Sequence, residues 1–367
     1  ALVFTMIFLP LMVFSKDGAR VRFCFAGDLM QHGSQIRSAY QPDGTYLYDT
    51  CFSFVTDRFY EADYTAMNIE TTFSGPPYTG YPSFSSPGQL AAAVKKAGVN
   101  VFLTANNHIL DKGVRGAYKT LELYDSLGVY HIGTTRPWII LEKNGIRTAL
   151  LNYTYTGNNN NRKDSFRLNL TDTSLIREHI RQVRDKGADC IICCMHWGVE
   201  YQMYPSPGQR QLARWLHQEG VTAVIGSQPH VPQSSDIVTD PEGKTSFMVV
   251  YSLGNFISNH PEPFTRMGMI LCFDIVLTKT GPRIESAWYE WIWTWRPAGD
   301  GEKTYLALPV SDERLYREAI KDRSDSELIG KTLKTLRNFM RETSPGIVER
   351  KRYPAYERKN LYFGIHP

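Results

Sequence analysis

Six apolar runs along this chain each stop on polar side chains able to hold a metal, and this recurrence constrains the fold more than any other feature. Asp28 follows VRFCFAG, Asn68 and Glu70 end YTAMNIE, and Asn106, Asn107 and His108 follow VFLTA. His196 follows CIICCM, His230 follows AVIGSQP, and Asn255 follows FMVVYSLG. Short apolar runs with abrupt polar ends read as buried strands. In open α/β sheets, ligands bind outside the carboxyl ends of the strands. Taken singly, each residue has an ordinary explanation: an Asp after a strand caps a helix, an Asn makes a turn, and a His satisfies a structural bond. Together, the same kind of position repeated along the chain points to one rim and one site. Carboxylate, imidazole and amide oxygen in combination suit a divalent manganese, zinc or iron ion.

Between these ends the chain alternates strand and helix. Strands are expected at 20–27, 64–69, 99–105, 189–195 and 221–226, and later at 246–252, 267–278 and 283–293. Helices are expected at 87–96, with Pro87 at the first helical position, and at 115–127, 174–186 and 207–219, the last three stopped by Gly128, Gly187 and Gly220. Runs 138–142 and 147–153 flank Asn144-Gly145, a strong hairpin signal. The pattern implies an α/β domain with parallel strands and some antiparallel hairpins. Two more helices are expected at 312–322 and 326–342, with an irregular tail from Thr343.

Composition narrows the function classes. With 41 basic and 37 acidic residues, the net charge is only +4, and no concentrated basic stripe is present, so a nucleic-acid partner is not expected. No Gly-rich phosphate loop of the Walker type occurs, which argues against direct ATP use. Five of the six cysteines lie inside strand-like runs, where neighbours such as Cys193 and Cys194 point to opposite faces. They read as small buried apolar residues and not as a disulfide framework. Trp288, Trp291, Trp293 and Trp295 read as core packing, with a sugar-facing surface as the alternative. The first fourteen residues, ALVFTMIFLPLMVF, are almost wholly apolar. Residues 1–18 are therefore expected to be a signal peptide or N-terminal membrane anchor. That makes the protein an exported one of the cell envelope, membrane-anchored or periplasmic or extracellular. The main domain is expected over 19–296, followed by a C-terminal helical extension and tail over 297–367.

The motifs at the strand ends carry a family resemblance. Gly27-Asp28-Leu29-Met30, Asn68-Ile69-Glu70, Thr104-Ala-Asn106-Asn107-His108-x-x-Asp111-x-Gly113, Met195-His196-Trp197-Gly198-x-Glu200-Tyr201, Gly226-Ser227-Gln228-Pro229-His230-Val231 and Ser252-Leu253-Gly254-Asn255-Phe256 occur in that order. The set resembles the CapA/PgsA family of poly-γ-glutamate capsule synthesis proteins over roughly residues 22–277. That family is in turn similar to the calcineurin-like metallophosphoesterases. The resemblance implies a four-layer α/β/β/α sandwich and a metal-dependent hydrolase-like site. It implies Asp28, Glu70, Asn107, His196 and His230 as metal ligands, with His108 and Glu70 in catalytic roles. His108 would act as general acid or transition-state stabiliser. Asn68, Asn106, Asp111, Glu200 and Asn255 are expected to contact substrate.

Two departures bear on the metal count, which stays open between one ion and two. Met30 stands where metallophosphoesterases carry a second His, and Ser227 and Gln228 stand where many family members carry another. His32 or Glu200 could complete the set, although His32 could equally lie exposed on a helix. Loop 81–87 is expected near the site, and Arg210 and Lys112 are candidate contacts for a polyanion. Three readings follow. The first is a metal-dependent hydrolase or transferase-like protein that makes, releases or exports an anionic capsule polymer, within a capsule synthesis or export complex. The second is a non-catalytic assembly factor on the same scaffold. The third is a phosphoesterase acting on phosphate-containing substrates outside the cytoplasm.

Overall fold

The structure, a computed structural model, describes residues 18–158, 166–296, 305–320 and 322–351. Its first part runs β1 (Arg20–Leu29), α1 (Gly33–Ala39), α2 (Thr56–Tyr60), β2 (Tyr64–Ile69), α3 (Gly88–Lys96), β3 (Val101–Leu103), α4 (Gly113–Leu127) and β4 (Tyr130–Ile132). The second runs β5 (Trp138–Lys143), β6 (Ile146–Thr154), α5 (Thr173–Asp185), β7 (Cys190–His196), α6 (Pro207–Gln218), β8 (Ala223–Ser227), β9 (Ser235–Thr239) and β10 (Thr245–Val250). The chain then returns through β11 (Asn255–Ile257), β12 (Met267–Thr278), β13 (Gly281–Trp295), β14 (Leu306–Pro309), α7 (Glu313–Ala319), α8 (Arg323–Thr343) and β15 (Val348–Glu349).

The strands hydrogen-bond in the order β4-β3-β2-β1-β12-β13-β10-β8-β7-β6-β5. The side-chain period of two sorts each strand between two apolar clusters. In β1, Val21, Phe23 and Phe25 enter an inner cluster, whereas Cys24 and Ala26 pack towards α3 and α4. In β7, Cys190, Ile192 and Cys194 enter the same inner cluster, whereas Ile191, Cys193 and Met195 pack against α5 and α6. The two half-sheets therefore face each other across a shared core, each covered outside by helices. This is the four-layer α/β/β/α sandwich. Strands apolar on both faces are what such double coverage requires. All six cysteines are free and buried.

Capping follows local chemistry. Asp172 accepts from the N–H groups of Ser174 and Leu175 to start α5, and Ser206 with Gln209 forms a capping box on α6. Gly128 ends α4 at φ 66°, in the left-handed region that glycine enters freely. The hairpin forms as expected, with Asn144 and Gly145 both at positive φ. Pro87 sits one residue before its expected place, at the cap of α3 with an extended ψ of 136°.

At the C-terminal side one expectation changes and one holds: the tryptophans pack the core, as expected. The segment after Thr343 is not wholly irregular: Val348 and Glu349 pair in parallel with Trp288 and Tyr289 of β13. Trp291, Trp293 and Trp295 line the inner core, with Trp291 and Trp293 fully buried, so they offer no sugar-binding surface. Helix α8 adds Ile329, Leu333, Leu336 and Met340 to that same core. No helix among the described residues is long and apolar enough to cross a membrane. All of the expected leader or anchor, 1–18, except Gly18 lies outside the described residues, as does the end of the tail, 352–367.

Candidate metal centre

The register of the central strands brings the expected residues to one rim. Asp28 pairs in parallel with Asn255, and its N–H donates to the Gly254 carbonyl at 2.9 Å. A Cβ at Gly27 would strike that carbonyl, which explains the glycine before Asp28. Gly226 is constrained in the same way by the Tyr251 carbonyl. His196 ends β7 beside Ser227 at the end of β8.

At the centre are Asp28, Glu70 and His196, all fully buried, with ligand atoms within 4.8 Å of one another. Glu70 Oε1 lies 3.8 Å from His196 Nε2 and 3.8 Å from His230 Nε2, and it has no hydrogen-bond partner. His196 Nε2 is 3.0 Å from Asn107 Oδ1. His230 Nδ1 is 3.0 Å from Asn255 Oδ1 and 3.4 Å from Asp28 Oδ2. Thus Asp28, Glu70, Asn107, His196 and His230 converge. A buried carboxylate oxygen without a donor is expensive, and a cation is what two carboxylates and two imidazoles in this arrangement fit. The buried cluster points to a divalent metal.

The protein groups alone are electrostatically strained. Burial would raise Asp28, but the hydrogen bond and charge of His230, with the Asn68 amide, hold it below the usual carboxylate range. Burial, together with the charge of Asp28, pushes Glu70 well above its ordinary value. Burial lowers His196 to about 3. For His230, burial is outweighed by the charges of Glu70 and Asp28, which bring it up to about 9. Backbone strain gathers here too: Tyr201, Gln228 and His230 have φ of 64°, 95° and 59°. Bulky residues rarely occupy this region except where surrounding structure holds them there.

A second group stands beside the centre. His108 Nδ1 is 2.7 Å from Asp111 Oδ2, which also accepts the Phe84 N–H at 2.8 Å. The Phe84 ring packs edge-on to His108 at 4.6 Å, so loop 81–87 does border the site. The Asn158 amide reaches Asp111 Oδ1 at 3.3 Å.

Several residues expected to touch substrate are instead engaged by their neighbours. The Asn68 amide donates to Asp28 Oδ1 at 2.7 Å and to Glu70 Oε2 at 3.1 Å. Asn106 donates to Asn68 Oδ1 and the Ile69 carbonyl, and Asn255 donates to the Thr265 carbonyl. All three are buried, so in this structure they orient the ligands. Asp111 orients His108. Glu200 is half-buried at the mouth, where its Oε1 accepts from Gln228. His32 caps α1, and its Nδ1 accepts the Asn259 N–H at 3.2 Å. Its ring lies 5.2 Å from His260, which is itself 5.0 Å from His230. Arg210 pairs with Asp236 at 3.4 Å. Lys112 stands before the first turn of α4. Met30 is buried, and its N–H donates to the Ile257 carbonyl.

Sequence reasoning did not pick out His260, Asn158 or Tyr155 as site residues. His260 follows β11, too short to show a period, and Asn158 and Tyr155 lie in a polar connection with no strand-end signal of their own.

The family model for the bacterial capsule synthesis protein PGA_cap matches residues 22–260. The chain belongs to that family. Its relatives include the capsule biosynthesis protein CapA of Bacillus anthracis, 27% identical over 66% of this chain and 61% of the relative. The PGA biosynthesis protein CapA of Bacillus subtilis is 26% identical over 70% of this chain and 68% of its own length. The match thus spans about three fifths to two thirds of these relatives. Among solved structures, the chain is similar to the calcineurin-like phosphoesterase YfkN of Bacillus subtilis, with TM-score 0.43, 13% identity, and 88% and 99% of the two chains covered. It is also similar to the Haemophilus influenzae NAD nucleotidase NadN, with TM-score 0.46, 11% identity, and 93% and 59% covered. These likenesses are too loose to bear on chemistry. Every residue of the metal centre lies inside the PGA_cap match.

Proposed function

We propose that this PGA_cap protein is a metal-dependent hydrolase or transferase-like protein acting on an anionic capsule polymer of the poly-γ-glutamate type. It acts outside the cytoplasm, tethered or exported through its N-terminal segment, within a capsule synthesis or export complex. The observation that carries the reading is Glu70 Oε1, buried without a donor between two imidazoles.

Asp28, Glu70, Asn107, His196 and His230 would hold the ion, one manganese, zinc or iron. A divalent cation there would polarise a substrate oxygen and acidify a water molecule. Asn68 and Asn255 keep the carboxylates and His230 in place. Asp111 fixes the Nδ1 proton of His108, which leaves Nε2 as the atom that moves a proton to or from the reacting group. Glu200, Tyr155 and Tyr201, at the mouth, would contact the polymer.

One observation favours the non-catalytic assembly factor. The Asn68 amide bridges Asp28 and Glu70 and partly compensates both carboxylates without any ion. The two readings separate in one experiment. The purified protein is incubated with manganese and γ-linked polyglutamate, and chain length is followed by size-exclusion chromatography. Shortening that is reduced at least a hundredfold in His108→Ala supports the enzyme. Unchanged polymer across manganese, zinc and iron, with export still impaired in cells by surface changes, supports the assembly factor.

A further inference from the structure

Glu70 is not alone in carrying an unsatisfied oxygen here. Gln228 is fully buried, and its Oε1 also has no hydrogen-bond partner. Its backbone N–H donates to Asp28 Oδ2 at 3.2 Å, so the residue is built into the metal centre. The amide orientation is decided by its neighbours: Nε2 donates to Glu200 Oε1 at 3.3 Å and to the Tyr155 hydroxyl at 3.3 Å. Exchanging the two amide atoms would set oxygen against the Glu200 carboxylate. The nitrogen therefore faces the mouth, and the oxygen is left for the interior. That oxygen is held there at φ 95°, a conformation glutamine rarely adopts.

Gln228 binds Asp28 through its N–H and Glu70 clusters with Asp28; on each residue one buried oxygen meets no protein N–H or O–H, and a cation would satisfy it. We propose that Gln228 Oε1 is a ligand of the divalent cation. The assignment rests on the metal reading above. It makes the donor set oxygen-rich, with Asp28, Glu70, Asn107 and Gln228 contributing oxygen and His196 and His230 contributing nitrogen. Oxygen-rich sets of this size suit manganese, whereas zinc is content with four ligands of which imidazole is a good one, so loss of an oxygen ligand costs manganese more.

The test is a manganese titration of the full chain, read from the loss of the free manganese(II) EPR signal, with zinc measured by competition. Melting curves of the metal-free proteins run alongside. Gln228→Leu should weaken manganese at least tenfold and zinc by less, while melting as a folded protein. Gln228→Glu, which keeps an oxygen and adds charge, should bind manganese at least as tightly as wild type, and it carries the test if Gln228→Leu does not fold. Wild-type manganese affinity in a folded Gln228→Leu overturns the ligand assignment alone, as does weaker binding in Gln228→Glu. If wild type binds no manganese and Asp28→Ala changes nothing, the metal reading falls and this assignment falls with it.

Discussion

Two clusters of charge are buried in this protein, and they are built differently. Arg58 and Glu290 form a pair between α2 and β13, with Arg58 1% exposed. The guanidinium grips the carboxylate with two nitrogens and donates a third bond to the Phe54 carbonyl at 2.8 Å. Both carboxylate oxygens are accounted for. At the metal centre, Glu70 Oε1 and Gln228 Oε1 are not. The first cluster is closed on itself and can only hold the fold together. The second is closed only by something added, and it sits where six strand ends meet. Burial of charge does not mark a site; incomplete satisfaction of buried charge does.

The contrast can be broken most forcefully at the closed pair. Arg58→Ala leaves Glu290 buried and unpaired, and should destabilise the protein by about 3–5 kcal/mol. Calorimetry should show the loss with and without added metal alike. A loss that metal reverses would mean the two clusters are not independent.

At the open cluster the expectation inverts. Glu70→Gln replaces a carboxyl whose charged form burial and Asp28 disfavour with a neutral group of nearly the same shape. Metal-free stability should stay within about 1 kcal/mol of wild type. The stabilisation by metal, about 2.7 kcal/mol when the free ion is a hundredfold above Kd, should disappear. Thermal melts with and without manganese check both halves.

The smallest effect is on pH. His196 sits near 3 in the fold, against 6.5 when unfolded, so between those values the unfolded state binds more protons. Its contribution is fully present above about pH 6.5 and is lost as pH falls towards 3. His260, lowered by burial to about 3, acts in the same direction. His230, near 9, acts oppositely: its contribution is present below about 6.5 and lost as pH rises through 9. Metal-free stability should therefore fall off on both sides of neutrality. In His196→Gln the acid limb should flatten, as urea melts across pH would show; an unchanged limb would mean His196 is not held neutral.

Much of this architecture could be read before the structure, for physical reasons. Long strands such as β1 and β7 are apolar on both faces, and their polar ends mark the rim, so Asp28 and His196 stood out; Asn107 stood out because β3 lies within a longer apolar run, 99–105. Strands of three or four residues, such as β4, β11 and β14, are too short to display a period. His260 was lost with β11. Pro87 was misplaced by one residue because both the cap and the first helical position suit proline. Gln228 was read as a missing imidazole, since its meaning lies in an oxygen whose partners become countable only once Glu200, Tyr155 and Asp28 are placed around it. Asn68 and Asn106 were placed at the site without their protein partners: strand-end position says which rim a side chain joins, and packing says what it touches there.

The measurement that bears most directly on the open cluster is metal content. Wild type, Asp28→Ala/His196→Ala and Arg58→Ala would be purified, reconstituted separately with manganese, zinc and iron, desalted and analysed for bound metal. The account expects stoichiometric metal in wild type, none in the double variant, and wild-type content in whatever fraction of Arg58→Ala remains folded. Wild type without metal under all three ions would contradict it, and the cluster would then be a strained but self-contained part of a scaffold.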